Sequence, residues 1–357
     1  MGRATGLGSN QRRLLWLVSA LLVLTLCAGC GGQTEKKAAT KAETKKLSIG
    51  ILKLTSSAPL FIGLDKGFFK EEGIDLEPQW FEAAQPIAVA TAANKVDIGA
   101  TGITASLYNM VAGGQELTIV ADKGREQKGY SSSALLVRSD LWEQGVRKVE
   151  DLKGKKIGIT QSGSTFHYMA GRLLESNGLV LSDTELVPLG KISSLMAALQ
   201  SKQVDAVILN EPNIAKVVAD GYGKIMTPVG DAMEYQTSGI FFSPALTKDK
   251  GAAVRFMKAY IKACRYYYDA VLVQKDGKAV PGANFEEVVG IIAKYTGASA
   301  DEVRTGLPYM DRDGALLTRD IQTQIDWYAA HKMIDKKIDA ARIVNTSFEE
   351  EALKQLQ

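Results

Sequence analysis

The stretch LSIGILKLTSSAPLFIGLDKGFFKEEGIDLEPQW, from Leu47 to Trp80, decides the fold. Leu47 to Leu52 is an apolar run of strand length. Ser57-Ala58-Pro59 then opens a helix, because proline is tolerated in a first turn, and Gly67 closes it. Ile74 to Trp80 reads as a second strand. Strand, helix and strand at this spacing predict an α/β fold with mostly parallel sheets.

Reading downstream, Pro86 to Asn94 is a helix and Val96-Asp97-Ile98-Gly99 a third strand, with Thr101-Gly102 as the loop after it. Thr104 to Ala112 is helical and Leu117 to Ala121 another strand. The plan then recurs. Lys156 to Thr160 is a strand, Ser162-Gly163-Ser164-Thr165 opens a helix reaching Asn177, and Gly178 ends it. Glu185 to Leu189 is a strand, Ser193 to Ser201 a helix, and Val204-Asp205 introduces the strand Ala206 to Leu209 as Val96-Asp97 introduced its own. Such self-similarity predicts two lobes of one plan. Two apolar segments, Ser131 to Val137 and Thr237 to Phe242, are expected to carry the chain between them as hinge strands. The expected division is residues 47–130 and 240–357 for lobe 1 and 131–239 for lobe 2, with a ligand cleft between. Beyond Phe242 the sequence is mainly helical, and these helices are expected to return to lobe 1.

Reading upstream, residues 1–29 resemble a leader. Arg3, Arg12 and Arg13 flank an apolar run, Leu14 to Leu26, that is short for a bilayer span and of signal-peptide length. It ends in Leu26-Cys27-Ala28-Gly29-Cys30, which resembles the bacterial lipobox with Cys30 as the lipidated residue; Cys27 departs from the usual aliphatic position. Residues 30–46 lack apolar periodicity and read as a flexible tether.

Composition narrows the function. Removing the three leader arginines leaves 40 basic residues against 40 acidic ones. Balanced charge without a basic run argues against a nucleic-acid partner. After loss of Cys27 and lipidation of Cys30, only Cys264 remains, so no internal disulfide framework is expected. Cys264 lies in an apolar helical stretch and reads as a buried structural thiol. His167 and His331 have no second ligand at metal spacing, so neither metal nor cofactor is expected. No Gly-x-Ser-x-Gly elbow, P-loop or dinucleotide fingerprint is present.

Ligands of open α/β sheets bind beyond the C-terminal strand ends. Four loops leave such ends and enter helices: Thr55-Ser56-Ser57-Ala58-Pro59, Thr101-Gly102-Ile103-Thr104, Gln161-Ser162-Gly163-Ser164-Thr165 and Asn210-Glu211-Pro212. Their free N–H groups and hydroxyls suit an anionic or acceptor-rich group. Taken singly, a Ser or Thr ahead of a helix is an N-cap; four at equivalent positions point to a shared cleft. Glu211 either accepts from a ligand N–H or caps the helix at Pro212. Arg125 either pairs with a ligand acid or sits at the surface. Trp80, Phe81, Phe166, Tyr130 and Tyr235 lie near strand ends or hinge entries, as wall or as core. His167 reads as a packed, satisfied histidine.

The run Ser57-Ala58-Pro59-Leu60-Phe61-Ile62-Gly63-Leu64-Asp65-Lys66-Gly67-Phe68-Phe69-Lys70-Glu71-Glu72-Gly73-Ile74-Asp75-Leu76 is similar to the opening of the nitrate/sulfonate/taurine-type periplasmic binding proteins, which share a domain with the thiamine-precursor synthases. Val96-Asp97-Ile98-Gly99, Asp151-Leu152-Lys153-Gly154-Lys155-Lys156-Ile157-Gly158 and Val204-Asp205-Ala206-Val207 before Glu211-Pro212 extend the resemblance over residues 47 to 330. It implies a type II periplasmic-binding fold that closes on one small molecule, and ABC permease and ATPase partners. It also implies ligand contacts at Ser57, Thr101, Gly102, Ser162, Ser164, Thr165 and Glu211, to which the strand-end positions add Pro59, Arg125 and Asn210. The synthases carry a cysteine-rich motif that this chain lacks. The expectation is a monomeric, lipid-anchored, non-enzymatic binding protein of the cell envelope. Its ligand is a sulfonate, a taurine-like zwitterion, nitrate, or a pyrimidine or other aromatic compound. The alternatives are a pyrimidine-precursor synthase and a ligand sensor without a permease.

Overall fold

The computed structural model describes residues 1–2, 44–275 and 278–357. The leader, the Cys30 lipidation site and most of the tether lie outside the described residues.

Two five-stranded sheets organise the chain from residue 45 onward. The first runs in the order β2 (Ile74–Phe81), β1 (Lys45–Leu52), β3 (Ile98–Gly102), β10 (Tyr235–Phe242), β4 (Thr118–Glu126). The second runs β7 (Glu185–Pro188), β6 (Lys156–Ile159), β8 (Ala206–Asn210), β5 (Ser133–Arg138), β9 (Gly223–Pro228). The two orders are the same plan. In each, a strand pairs in parallel with the next two in sequence, then an antiparallel strand from a distant part of the chain is inserted. The sheets are therefore mixed rather than mostly parallel. Helices cover both faces, which leaves β1, β3 and β8 almost wholly buried and explains their apolar composition.

The inserted strands correct the expected hinges. Ser131 to Val137 and Thr237 to Phe242 do not hang between lobes; most of each belongs to β5 and β10, bonded inside one sheet. The crossings are the segments 127–132 and 229–234, just before those strands. Thr101-Gly102 is also not a loop but the end of β3. Further, β4 continues past Ala121 through Asp122-Lys123-Gly124-Arg125-Glu126. A polar run of this kind reads as a loop, because polar groups are held in a buried strand only when distant partners satisfy them.

For Asp122 two of these partners come from far away in sequence, while Glu126 is held by the segment that follows it. The Asp122 carboxylate accepts from Gly124 N at 2.7 Å, Gln236 Nε2 at 2.7 Å and Asp311 N at 2.9 Å. Buried Glu126 accepts from the hydroxyls of Ser131, Ser132 and Ser133 at 2.7, 2.8 and 2.6 Å, which fixes the first crossing onto the end of β4.

The C-terminal helices divide their packing. Lys250–Val271 and Ser347–Gln355 pack on the first lobe, as expected. Thr318–Ala330 instead lies on Thr165–Ser176 of the second lobe. Gly171 leaves the space that Trp327 fills, since a Cβ there would stand 2.4 Å from the indole. Trp327 Nε1 donates to Glu175 at 2.9 Å, and Tyr328 donates to Ser164 O at 3.2 Å. Tyr108 of the first lobe donates to Gln324 on the same helix at 3.1 Å, so Thr318–Ala330 ties both lobes together. No helix among the described residues is long and apolar enough to cross a membrane.

Candidate ligand-binding cleft

The ends of β1, β3, β4 and β10 in the first lobe face the ends of β6 and β8 in the second. Between them lies a cavity of about 40 Å³. Ser56, Gly102, Lys123, Thr237 and Ser238 line it from one side, and Ser132, Thr160, Thr165, Phe166 and Asn210 from the other. Leu52, Leu54, Ala83, Ala84 and Ile192 form an apolar rim.

Lys123 dominates the electrostatics. It is 1% exposed. Successive strand residues point to opposite faces, so Lys123 enters the cleft while Asp122 turns away toward Gln236 and Asp311. Its Nζ donates to Ser56 Oγ at 3.0 Å. Among the described residues it has no carboxylate at ion-pair distance. Burial drives its pKa down from the ordinary lysine value to about 7, with Asp122 pulling weakly the other way. The cavity thus holds an amine poised between its neutral and ammonium forms near pH 7, with donor capacity to spare. Hydroxyls surround it, and the lining has no histidine, cysteine or carboxylate.

Of the residues expected from sequence, Gly102, Thr165 and Asn210 meet at this cavity. A Cβ on Gly102 would stand 2.7 Å from the Thr165 methyl, so the missing side chain lets the lobes touch. Asn210 donates to Ser133 Oγ at 2.7 Å, extending the network held by Glu126. Phe166 supplies an aromatic wall.

The other expected residues are placed elsewhere. Ser57 is buried and donates to Leu52 O at 2.9 Å; its neighbour Ser56 takes the lining position. Pro59 is buried in the first turn of the helix Ala58–Asp65. Thr101 is buried beside the cavity, its Oγ1 without a partner. Ser162 is exposed. Ser164 is the N-cap of Thr165–Ser176, accepting from His167 N at 3.2 Å. Glu211 caps as well. Its carboxylate accepts from Ala215 N at 3.0 Å and packs on Gly306, in a crevice with Ser131, Asp231 and Thr305 rather than in the cavity. Burial raises its pKa to about 7. Arg125 pairs with Asp311 at 3.3 Å and lies over Tyr309, also away from the cavity. Tyr235 is core, stacked on Tyr168 at 4.7 Å. Tyr130 packs edge-on to Tyr309.

His167 is packed as expected: its Nδ1 accepts from Gly163 N at 3.0 Å, and burial lowers its pKa to about 4. Cys264 is fully buried, with its pKa raised by burial. Among the described residues no His, Cys, Asp and Glu cluster is arranged to hold a metal ion. Sequence reasoning missed Lys123, Ser132, Thr160, Thr237 and Ser238, and it named Ser56 only as part of a candidate loop. A signal existed for Lys123: it falls two residues after an apolar strand, on that strand's alternation.

The lobes are closed in this structure. Ala105 N donates across the cleft to Gly163 O at 2.9 Å, and Thr55 N to Glu211 O at 3.2 Å. At the mouth, Glu82 accepts from Ser193 Oγ at 2.8 Å and stands 3.6 Å from Lys191 Nζ.

Two α/β lobes of equivalent topology, shut on a common cavity at their strand ends, define a type II periplasmic-binding fold. Comparisons agree. The putative aliphatic sulfonates-binding protein of Bacillus subtilis (strain 168) is 26% identical over 357 residues, 97% of this chain and 98% of that protein. The alkanesulfonate-binding protein SsuA of Xanthomonas axonopodis pv. citri, bound to MOPS, superposes with a TM-score of 0.69 at 20% identity, over 85% of this chain and 99% of that one. The desulfurization enzyme DSZB gives 0.65 at 16% identity, over 88% and 100%. The model of the NMT1-like family matches residues 40–275, and the chain belongs to that family.

Proposed function

We propose that this protein captures a small organic anion between its lobes and presents the closed, loaded form to the permease of an ABC importer. The observation that carries this is Lys123, a buried amine with no carboxylate partner among the described residues, in a cavity shared by both lobes. Without a partner the buried amine sheds its proton near pH 7, and an anionic ligand supplies the compensation that holds it as an ammonium. Hydroxyls from both lobes complete a binding set, so the solute itself bonds the two halves together and favours closure. The relative named for aliphatic sulfonates supports the ligand class, and a relative from Brachyspira hyodysenteriae named as a putative ABC transporter periplasmic binding protein supports the transport role. The lining offers donors to hold an anion and gives Lys123 no histidine, cysteine or carboxylate to work with in breaking a bond, which favours binding over a synthase-like activity. Lipidation at Cys30 would keep the protein at the outer face of a membrane, within reach of a permease, and mass spectrometry of the natively expressed protein tests it.

Calorimetric titration with methanesulfonate, taurine, nitrate and short carboxylates tests the reading. At least one of these anions is expected to bind, and Lys123→Met is expected to weaken it 100-fold or more. Neutral isosteres that bind as well as the anions would overturn the proposal.

A further inference from the structure

A second space adjoins the cavity. About 400 Å³ in volume, it is lined by Trp80, Phe81, Met196, Pro212 and Thr296 and shares Leu52, Leu54 and Ile192 with the inner cavity. The shared residues form a small apolar cluster with Ile87 and Phe81, drawn from both lobes. Trp80 is 42% exposed, on the edge strand β2, among the few large apolar side chains left open to solvent.

The inner cavity, at about 40 Å³, holds roughly three water-sized groups. That is enough for a sulfonate or carboxylate head at Lys123 and little more. Any further part of the solute must leave along the Leu52–Leu54–Ile192 cluster, and it then enters the groove of Trp80 and Met196. Met196 adapts to irregular shapes, and the Trp80 ring offers a broad apolar surface.

We propose that this groove is a specificity subsite for the apolar body of the ligand. The solute is then an amphipathic organic anion whose head is bound at Lys123 and whose tail lies on Trp80, Phe81 and Met196. This rests on the anion reading above. Lys123 sets the charge of what is bound, and the groove sets its length.

Calorimetry with sodium methane-, butane- and octanesulfonate, the matching carboxylates, and nitrate tests the idea on the purified protein. Affinity is expected to rise about fourfold per added methylene. The octane-to-methane affinity ratio is expected to fall at least tenfold in Trp80→Ala and in Met196→Ala. Lys123→Met should weaken short and long anions alike and leave their ratio intact. Binding of octanesulfonate should also shift the fluorescence of the wild type, and that shift should be lost in Trp80→Phe, which keeps an aromatic ring at the position. A wild-type ratio near one, or a ratio untouched by either groove substitution, would overturn the subsite while leaving the anion reading standing. Failure of every anion to bind would remove the anion reading itself. Comparing sulfonates with carboxylates of equal length identifies the head.

Discussion

At the scale of single residues, Lys123 sets the chemistry. Its pKa of about 7 in the folded chain lies below the ordinary lysine value of 10.5. Between those values the unfolded chain binds more protons than the folded one, so stability rises with pH across that window. Below about pH 7 both states carry the proton, and the full cost of the buried charge is present. Denaturant melts of the unliganded protein from pH 6 to 10 should therefore show stability climbing above pH 7, and Lys123→Met should flatten that rise. Anion binding runs the other way. It needs the ammonium, so affinity should fall above pH 7 while proton uptake accompanies binding, read by calorimetry in buffers of different ionisation enthalpy. Loss of Arg125, already paired with Asp311, should leave anion affinity within about twofold, since its charge is neutralised and lies outside the cavity.

At the scale of elements, two glycines decide how helices and strands meet. Gly102 ends β3 against Thr165, the first residue of its helix, and Gly102→Ala places a methyl 2.7 Å from the Thr165 side chain. Overpacking of this kind costs about 1–3 kcal/mol. Here the strain is relieved by opening the cleft, so the expected loss is in ligand affinity more than in the unliganded melting temperature. Thr165→Ser removes the obstructing methyl and should restore affinity to Gly102→Ala; a double variant as weak as the single one would refute the clash. Gly171→Ala meets the Trp327 ring instead. That contact lies in the core between two helices, so the same 1–3 kcal/mol should appear in global stability, measured by urea unfolding.

At the scale of the whole molecule, closure is divided between backbone bonds at the floor of the cleft and charges at its mouth. The Glu82 and Lys191 side chains at the mouth are 58% and 57% exposed. Pairs so open to water contribute little. Glu82→Gln is accordingly expected to change affinity by less than about threefold, with even that difference disappearing in 0.5 M salt. The ligand itself contributes more: at 100-fold excess over Kd it stabilises the folded state by about 2.7 kcal/mol, visible as a rise in melting temperature. Small-angle scattering with and without octanesulfonate should show the loaded form at least as compact as the empty one.

The sequence by itself determined the α/β class, most of β1, β2 and β6, the helices Thr104 to Ala112 and Ser162 to Asn177 to within a few residues, and the repetition of one plan in two lobes. It also placed Gly102, Thr165 and Asn210 in the loops that lead from strand ends into helices. These features are local: apolar runs, Pro59 inside a first turn, glycine at a helix end, and hydroxyls ahead of helices each act through near neighbours. Only the tertiary structure decided the rest. The antiparallel places of β5 and β10, the extension of β4 through Asp122 and Lys123, and the two-lobe span of Thr318–Ala330 depend on partners far along the chain. Which polar group faces the cavity depended on the same contacts. Asp311 and Gln236 occupy Asp122, and Ser131 to Ser133 occupy Glu126. Lys123 between them is left without a carboxylate partner among the described residues and faces the cleft, because burial and partnership are properties of the folded whole and of no single segment.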